Sequence, residues 1–294
     1  MSDLSALGEW VRQRHEAGEN VDQLLEACMG SGWDGEVAIR AVEEALGRRL
    51  FPAAPTPSPN FRNRTTLDVG DREVHVLLSM PLPKLLVVGN MLSDEECEAL
   101  IESARGRLAP TTVADVVTGE ISHSSVRTSQ GTFFRRGETA LIERIERRLE
   151  RFLAWPADWG EGLQVLRYGV GHEYKPHHDY FSYLARKLEA GEPVKDAAQR
   201  VATVLLYLNE PEEGGGTAFT DVNLEVAPRR GTAVFFAYDR PYPTTRTRHA
   251  GCPVLAGEKW VATKWVRDRR FEEPRQGDSG GAAAAPAGNA TDHV

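Results

Sequence analysis

The chain has 294 residues, 41% hydrophobic and 27% charged, with a net charge of −8 at pH 7; this is the make-up of an ordinary globular protein, and the acidic balance disfavours a general nucleic-acid or membrane-surface role. No run is long and apolar enough to cross a bilayer, and the start lacks the basic-then-apolar layout of a secretory signal. Cys28, Cys97 and Cys252 form no CxxC pair, which suits a reducing compartment, so the cytoplasm is the expected location.

Residues 1–50 are predicted to form a small three-helix module. LGEWVRQRHEAG, VDQLLEACMGSGW and GEVAIRAVEEALGRRL place apolar residues at helical spacing, the last with Val37, Ala41, Val42, Ala45 and Leu46 as its stripe. Such a module either docks on the rest of the chain or binds a protein partner. Residues 51–66, with four prolines in the first nine positions, read as a semi-rigid linker. The main domain is expected over 67–272 and a disordered tail over 273–294.

Within 67–272, LDVGDREVHVLLSMP and PKLLVVGNML read as strands. SDEECEALIESARGRL reads as a helix with a Ser93/Glu96 capping box. A second helix places Leu141, Ile142, Ile145, Leu149 and Phe152 on one face. From residue 163 short strand-like runs alternate with Gly, Pro and Asn. The expectation is an α+β fold: a double-stranded β-helix, or jelly roll, with the two helices flanking one sheet.

The segment YGVGHEYKPHHDYF, residues 168–181, carries the first chemistry. Read as a strand, it turns His177 and Asp179 to one face and His178 to the other. With His249 from a distant strand they make two imidazoles and a carboxylate, the set that grips non-haem Fe(II) on one face and leaves the other open. A His-x-Asp pair alone is common, and lone histidines are often merely hydrogen-bonded. Lys259 strengthens the pattern. On KWVATKW it shares a face with Val261, Thr263 and Trp265. Facing a barrel interior, its charge would need a partner, which the far carboxylate of a dicarboxylic 2-oxo acid would supply. With the faces exchanged, it is an exposed lysine. The hydroxyls of Tyr168 and Thr217 can donate to a carboxylate, or belong to a core aromatic and a turn residue. Arg127 and Arg200 read equally as solvated charges, and Trp265 as a packing residue.

SSVRTSQGTFF, YGVGHEYKPHHDYF, ATVLLYLNEPEEGGGTAF, GTAVFF and RHAGCPVLAGEKWVATKWV occur in an order and spacing that resemble the catalytic domain of prolyl 4-hydroxylases, over residues 85–268. The resemblance implies Fe(II) on His177, Asp179 and His249, and 2-oxoglutarate on Lys259, Tyr168 and Thr217. It further implies a peptide groove along Arg127, Ser129, Tyr174, Arg200 and Trp265. The implied reaction is O2-dependent hydroxylation of a prolyl residue at C4, giving succinate and CO2, with ascorbate restoring Fe(II). The implied partner is a proline-containing peptide or protein, with elongation factor Tu suggested by bacterial relatives; a free amino acid or small molecule is the alternative substrate, and a non-catalytic 2-oxoglutarate or iron sensor the alternative role. One departure is GGGT, where relatives often carry an acidic residue before the threonine. Another is the Tyr-Pro-Thr-Thr run beside His249, expected to be a turn.

Overall fold

The computed structural model describes residues 2–48, 50, 54–62, 64–111, 113–114, 121–122, 127–181 and 198–273. The predicted tail from 274 onward and residues 124–126 of the SSVRTSQGTFF segment lie outside these. The chain packs as two compact units: residues 1–53 with 242–244, and the remainder.

The first unit holds α1 (Ser2–Glu16), α2 (Val21–Gly30) and α3 (Gly35–Leu46). Asn20 and Gln23 form a reciprocal capping box at the start of α2, and Asp34 caps α3. Gly47 ends α3 at φ 64°, a left-handed conformation that glycine adopts without strain. The buried face of α3 is Ala38, Ile39, Ala41 and Val42, and α2, which packs against α3, buries Leu24, Leu25 and Cys28. The face is thus rotated from the expected stripe: Val37, Ala45 and Leu46 are only partly covered. Periodicity fixes that a stripe exists, but which flank faces inward depends on the neighbouring helices.

The second unit contains two further helices, α4 (Asp94–Arg105) and α5 (Ala140–Leu153), and strands β1 (Thr66–Asp68), β2 (Glu73–Met80), β3 (Lys84–Gly89), β4 (Ala109–Pro110), β5 (Val113–Ala114), β6 (Ile121–Ser122), β7 (Gln130–Phe134), β8 (Leu163–Tyr168), β9 (Tyr174–His177), β10 (Arg200–Tyr207), β11 (Glu213–Gly214), β12 (Thr217–Phe219), β13 (Leu224–Val226), β14 (Ala233–Ala237), β15 (His249–Gly251), β16 (Val254–Ala256) and β17 (Lys259–Arg267). Nine strands form an antiparallel sheet in the order β1-β2-β3-β14-β10-β17-β8-β7-β4, and four form a second in the order β13-β12-β15-β9. The two sheets are the halves of the expected double-stranded β-helix.

The large sheet is covered on both faces, which is why its strands read as nearly unbroken apolar runs. On one face Leu86, Val88, Phe235, Val204, Leu206, Trp260, Ala262 and Val165 pack with Cys97 and Leu100 of α4 and Ile142, Ile145, Leu149 and Phe152 of α5. Each fully buried valine, leucine, isoleucine or phenylalanine among them contributes about 1.5–3 kcal/mol. Alternation sends Leu85, Val87, Val234, Phe236, Tyr207, Val261, Leu166 and Tyr168 to the other face, where they meet Phe219 and Val226 of the small sheet. Ser93 and Glu96 form the predicted capping box of α4.

Several runs are broken more finely than the sequence suggests. LDVGDREVHVLLSMP is two strands that turn at Gly70, φ 105°. RHAGCPVLAG is likewise two, β15 and β16, interrupted at Cys252 and Pro253. The EYKPHHDYF strand stops at His177, so Asp179 lies in a bend beyond it. The proline-rich segment, expected to be a spacer, lies against the β unit from residue 54: Pro57 and Pro59 are buried, and Lys84 Nζ donates to Thr56 Oγ1 (3.0 Å) and Pro57 O (2.9 Å).

Candidate active site

His177 and His249 face each other directly across the β9–β15 ladder. Their ring centroids are 4.3 Å apart. Each Nδ1 is tied to the carbonyl two residues upstream, Lys175 O at 2.9 Å and Thr247 O at 3.0 Å. Donation from Nδ1 leaves Nε2 as the lone-pair nitrogen of each ring. Both Nε2 atoms point at Asp179, 3.6 Å from its Oδ1 and Oδ2 respectively. The three residues are 2–4% exposed, and one donor atom from each lies within 4.8 Å of the others. Burial, with His177 alongside, pushes His249 down to about 4, so the ring is neutral at physiological pH. Burial alone would raise the Asp179 carboxyl, but His249, His177 and Arg200 hold it well below the usual carboxylate range. Two imidazole donors and one carboxylate converging from one side fit an octahedral metal with its other side open. Asp179 thus joins the histidines from a bend, not by the strand alternation expected of it.

The surrounding cleft, about 440 Å³ including its solvent-filled mouth, is lined by the three ligands and by Lys259, Val261, Thr263 and Trp265 from β17. The alternation read from KWVATKW is therefore the observed one. Lys259 is 3% exposed; its ammonium donates to Gly216 O at 3.4 Å and has no carboxylate partner among the described residues. It lies between the rings of Tyr168 and Tyr207, 5.7 and 5.5 Å from their centroids, and burial pushes it down to about 8. An unpaired buried cation is costly, and the far carboxylate of 2-oxoglutarate is the partner its position suits. Tyr168, directly opposite Lys259 in the ladder, and Thr217 also line the cleft. Tyr207 donates to Thr217 Oγ1 at 2.7 Å. The glycines before Thr217 have a steric reason here: a Cβ at Gly216 would collide with Glu225 Oε1, and Gly215 sits at φ 71°. Glu225 fills the space a side chain at 216 would need.

The expected groove residues divide. Arg127 and Tyr174 line the cleft, as does Trp265. The Tyr174 hydroxyl and the Trp265 indole N–H are buried without partners among the described residues. Arg127 stacks over Tyr174 and donates to Ser129 Oγ (3.2 Å) and Gln164 Oε1 (3.1 Å). Ser129 is not in the cleft wall; it is buried and bound to Thr111 and Arg127. Arg200 also departs from the groove position expected of it. It is wholly buried, paired with both oxygens of Glu161 at 2.7 and 2.9 Å and stacked 3.8 Å from the Trp265 ring centroid. The register slips between Arg200 and Ala202, which turns this arginine towards Trp265 and Asp179. A buried guanidinium needs a carboxylate, and Glu161 provides it.

Thr203, Tyr207, Tyr238 and Glu161 were not anticipated. The first two carried a signal: in RVATVLLY they lie at the same parity, polar groups on one face of an apolar strand. His178, which strand alternation would turn to the other face, stacks on Tyr180 with its Nε2 buried and without a partner among the described residues, and burial pushes it down to about 3.

A double-stranded β-helix with two histidines, an aspartate and a buried lysine converging on one cleft defines an Fe(II)- and 2-oxoglutarate-dependent oxygenase. Residues 163–267 match the model of the 2OG-Fe(II) oxygenase superfamily. The chain is 42% identical over 205 residues to probable prolyl 4-hydroxylase 3 of Arabidopsis thaliana, covering 63% of this chain and 69% of that one. It is 40% identical over 225 residues to probable prolyl 4-hydroxylase 8 of the same plant, covering 69% and 74%. Among solved structures, the viral collagen prolyl hydroxylase of Paramecium Bursaria Chlorella virus-1, in its 2OG complex, is 31% identical, with a TM-score of 0.47 over 62% of this chain and 95% of that one. The chain belongs to the prolyl 4-hydroxylase family of 2OG-Fe(II) oxygenases and is an Fe(II)/2-oxoglutarate-dependent dioxygenase.

Proposed function

We propose that the protein hydroxylates a prolyl residue at C4 in a peptide or protein, consuming O2 and 2-oxoglutarate and releasing succinate and CO2. The observation that carries this reading is the division of labour within one cleft: three metal-ligand atoms at its centre, an unpaired lysine on one side, and unpartnered Tyr174 and Trp265 donors in its wall.

His177, Asp179 and His249 would hold the iron. Lys259, with Tyr168 and Thr217, would bind the co-substrate's distal carboxylate and set which end faces the metal. Bound Fe(II) and 2-oxoglutarate supply O2 activation coupled to decarboxylation, so no protein acid or base is needed for attack on carbon. The protein's contribution is orientation and exclusion of water: the aromatic walls of Tyr174, Phe219 and Phe236 around the histidines keep the centre dry. Tyr174 and Trp265 offer hydrogen-bond donors to backbone carbonyls flanking the reacting proline. Ascorbate would return the iron to Fe(II) after turnovers without substrate. The location in this reading is cytoplasmic, and an accessible proline on a cytoplasmic protein is the target class.

The test is incubation of the purified protein with Fe(II), ascorbate, 2-oxoglutarate and proline-containing peptides, with elongation factor Tu among the protein substrates, followed by mass spectrometry. A gain of one oxygen on proline, matched by succinate, is expected. Oxidation of free proline but of no peptide would overturn the peptide reading.

A further inference from the structure

The geometry points to Thr203 as a positioning residue: backed by Tyr238, it fixes the Asp179 carboxylate so that one oxygen is occupied and the other is presented to the metal. This rests on the metal-site reading above and concerns how that site is held.

Thr203 Oγ1 lies 2.6 Å from Asp179 Oδ2 and 3.0 Å from the Tyr238 hydroxyl. Thr203 is 0% exposed, Tyr238 1% and Asp179 3%. A carboxylate accepts only, so Thr203 must donate its single proton to Oδ2. Its oxygen is then the acceptor for Tyr238. The chain runs one way, from Tyr238 through Thr203 to Asp179.

The three ligands are not equally restrained without it. Each histidine ring is pinned through Nδ1 to the carbonyl two residues upstream, Lys175 O or Thr247 O. Among the described residues Asp179 has no such local anchor: it lies past the end of β9, and its backbone carbonyl receives a 3.4 Å contact from Arg200. The carboxylate is therefore oriented from another strand, β10, by a side chain whose branched Cβ limits its rotamers. With Oδ2 engaged by Thr203, Oδ1 is left facing His177 Nε2 at 3.6 Å. Presenting a single oxygen would leave room at a bound Fe(II) for the co-substrate and O2.

The test uses Thr203→Val, which keeps the branched shape and removes the donor, with Thr203→Ser and Tyr238→Phe. Two measurements are made without oxygen: the Fe(II) dissociation constant, and the visible charge-transfer band of the Fe(II)–2-oxoglutarate complex. Thr203→Val should weaken Fe(II) binding by about 10–100-fold, the usual effect of losing a hydrogen bond to a metal ligand, and shift the band. Thr203→Ser should restore both, and Tyr238→Phe should fall between. Wild-type affinity and an unshifted band in Thr203→Val overturn the inference, as does a serine variant no better than valine. Should circular dichroism show the valine variant unfolded, the Thr203→Ser/Tyr238→Phe double variant decides, and undisturbed affinity and band there overturn it. A wild-type protein that binds no Fe(II) would instead overturn the metal-site reading itself.

Discussion

Lys259 gives the sharpest quantitative prediction, because its ammonium is buried before its partner arrives. Burial pushes it from 10.5 to about 8. Each tenfold change in proton affinity corresponds to about 1.4 kcal/mol, so the charge destabilises the ligand-free fold by about 3 kcal/mol at neutral pH. The folded value is the lower one, so the unfolded chain holds more protons between pH 8 and 10.5. The penalty is complete below about pH 8 and is relieved as pH rises through that window. Lys259→Met replaces the lysine with an apolar chain of similar length. The ligand-free variant should melt higher, by roughly 6–12 °C if the whole penalty is recovered, at about 2–4 °C per kcal/mol for a domain of this size. The same variant, loaded with Fe(II), should bind 2-oxoglutarate at least about 30-fold more weakly, since a buried charge pair broken on one side costs about 2–5 kcal/mol. It should also lose its preference for 2-oxoglutarate over pyruvate, which lacks the distal carboxylate. In the wild type, 2-oxoglutarate affinity should fall as pH rises past about 8, where the free lysine loses its proton. Thermal unfolding and calorimetric titration measure these effects. A variant that is no more stable and discriminates the two acids as before would refute the reasoning.

His249→Ala should abolish stoichiometric Fe(II) binding and turnover together while leaving the fold intact, as read by metal analysis and circular dichroism; retained activity would remove it from the ligand set. Glu161→Gln should destabilise the protein by about 3–5 kcal/mol in urea titration, because it strands Arg200 and Arg267 in the interior. A loss below about 1 kcal/mol would mean those guanidinium groups find other partners.

The residues alone determined the metal chemistry. Two imidazoles and a carboxylate name a class of metal, because donor type and charge are properties of single side chains; the lysine names a class of co-substrate only once the fold turns its face inward, which the sequence left open. The parity of β17 was legible for a related reason: side chains alternate strictly along an unbroken strand, so Lys259, Val261, Thr263 and Trp265 had to share a face. The inward flank of α3 was not legible, since a helical stripe has two shoulders and only the neighbouring helices choose between them. Nor was the place of Arg200, which a one-residue slip in the β10–β17 ladder turns from the expected groove to a buried pair with Glu161, 39 positions away in the chain. Asp179 reached its histidines from a bend, held by Thr203 across the barrel. Such cross-strand restraints depend on register and closure, long-range pairings that local sequence does not encode, and tertiary structure alone decided them.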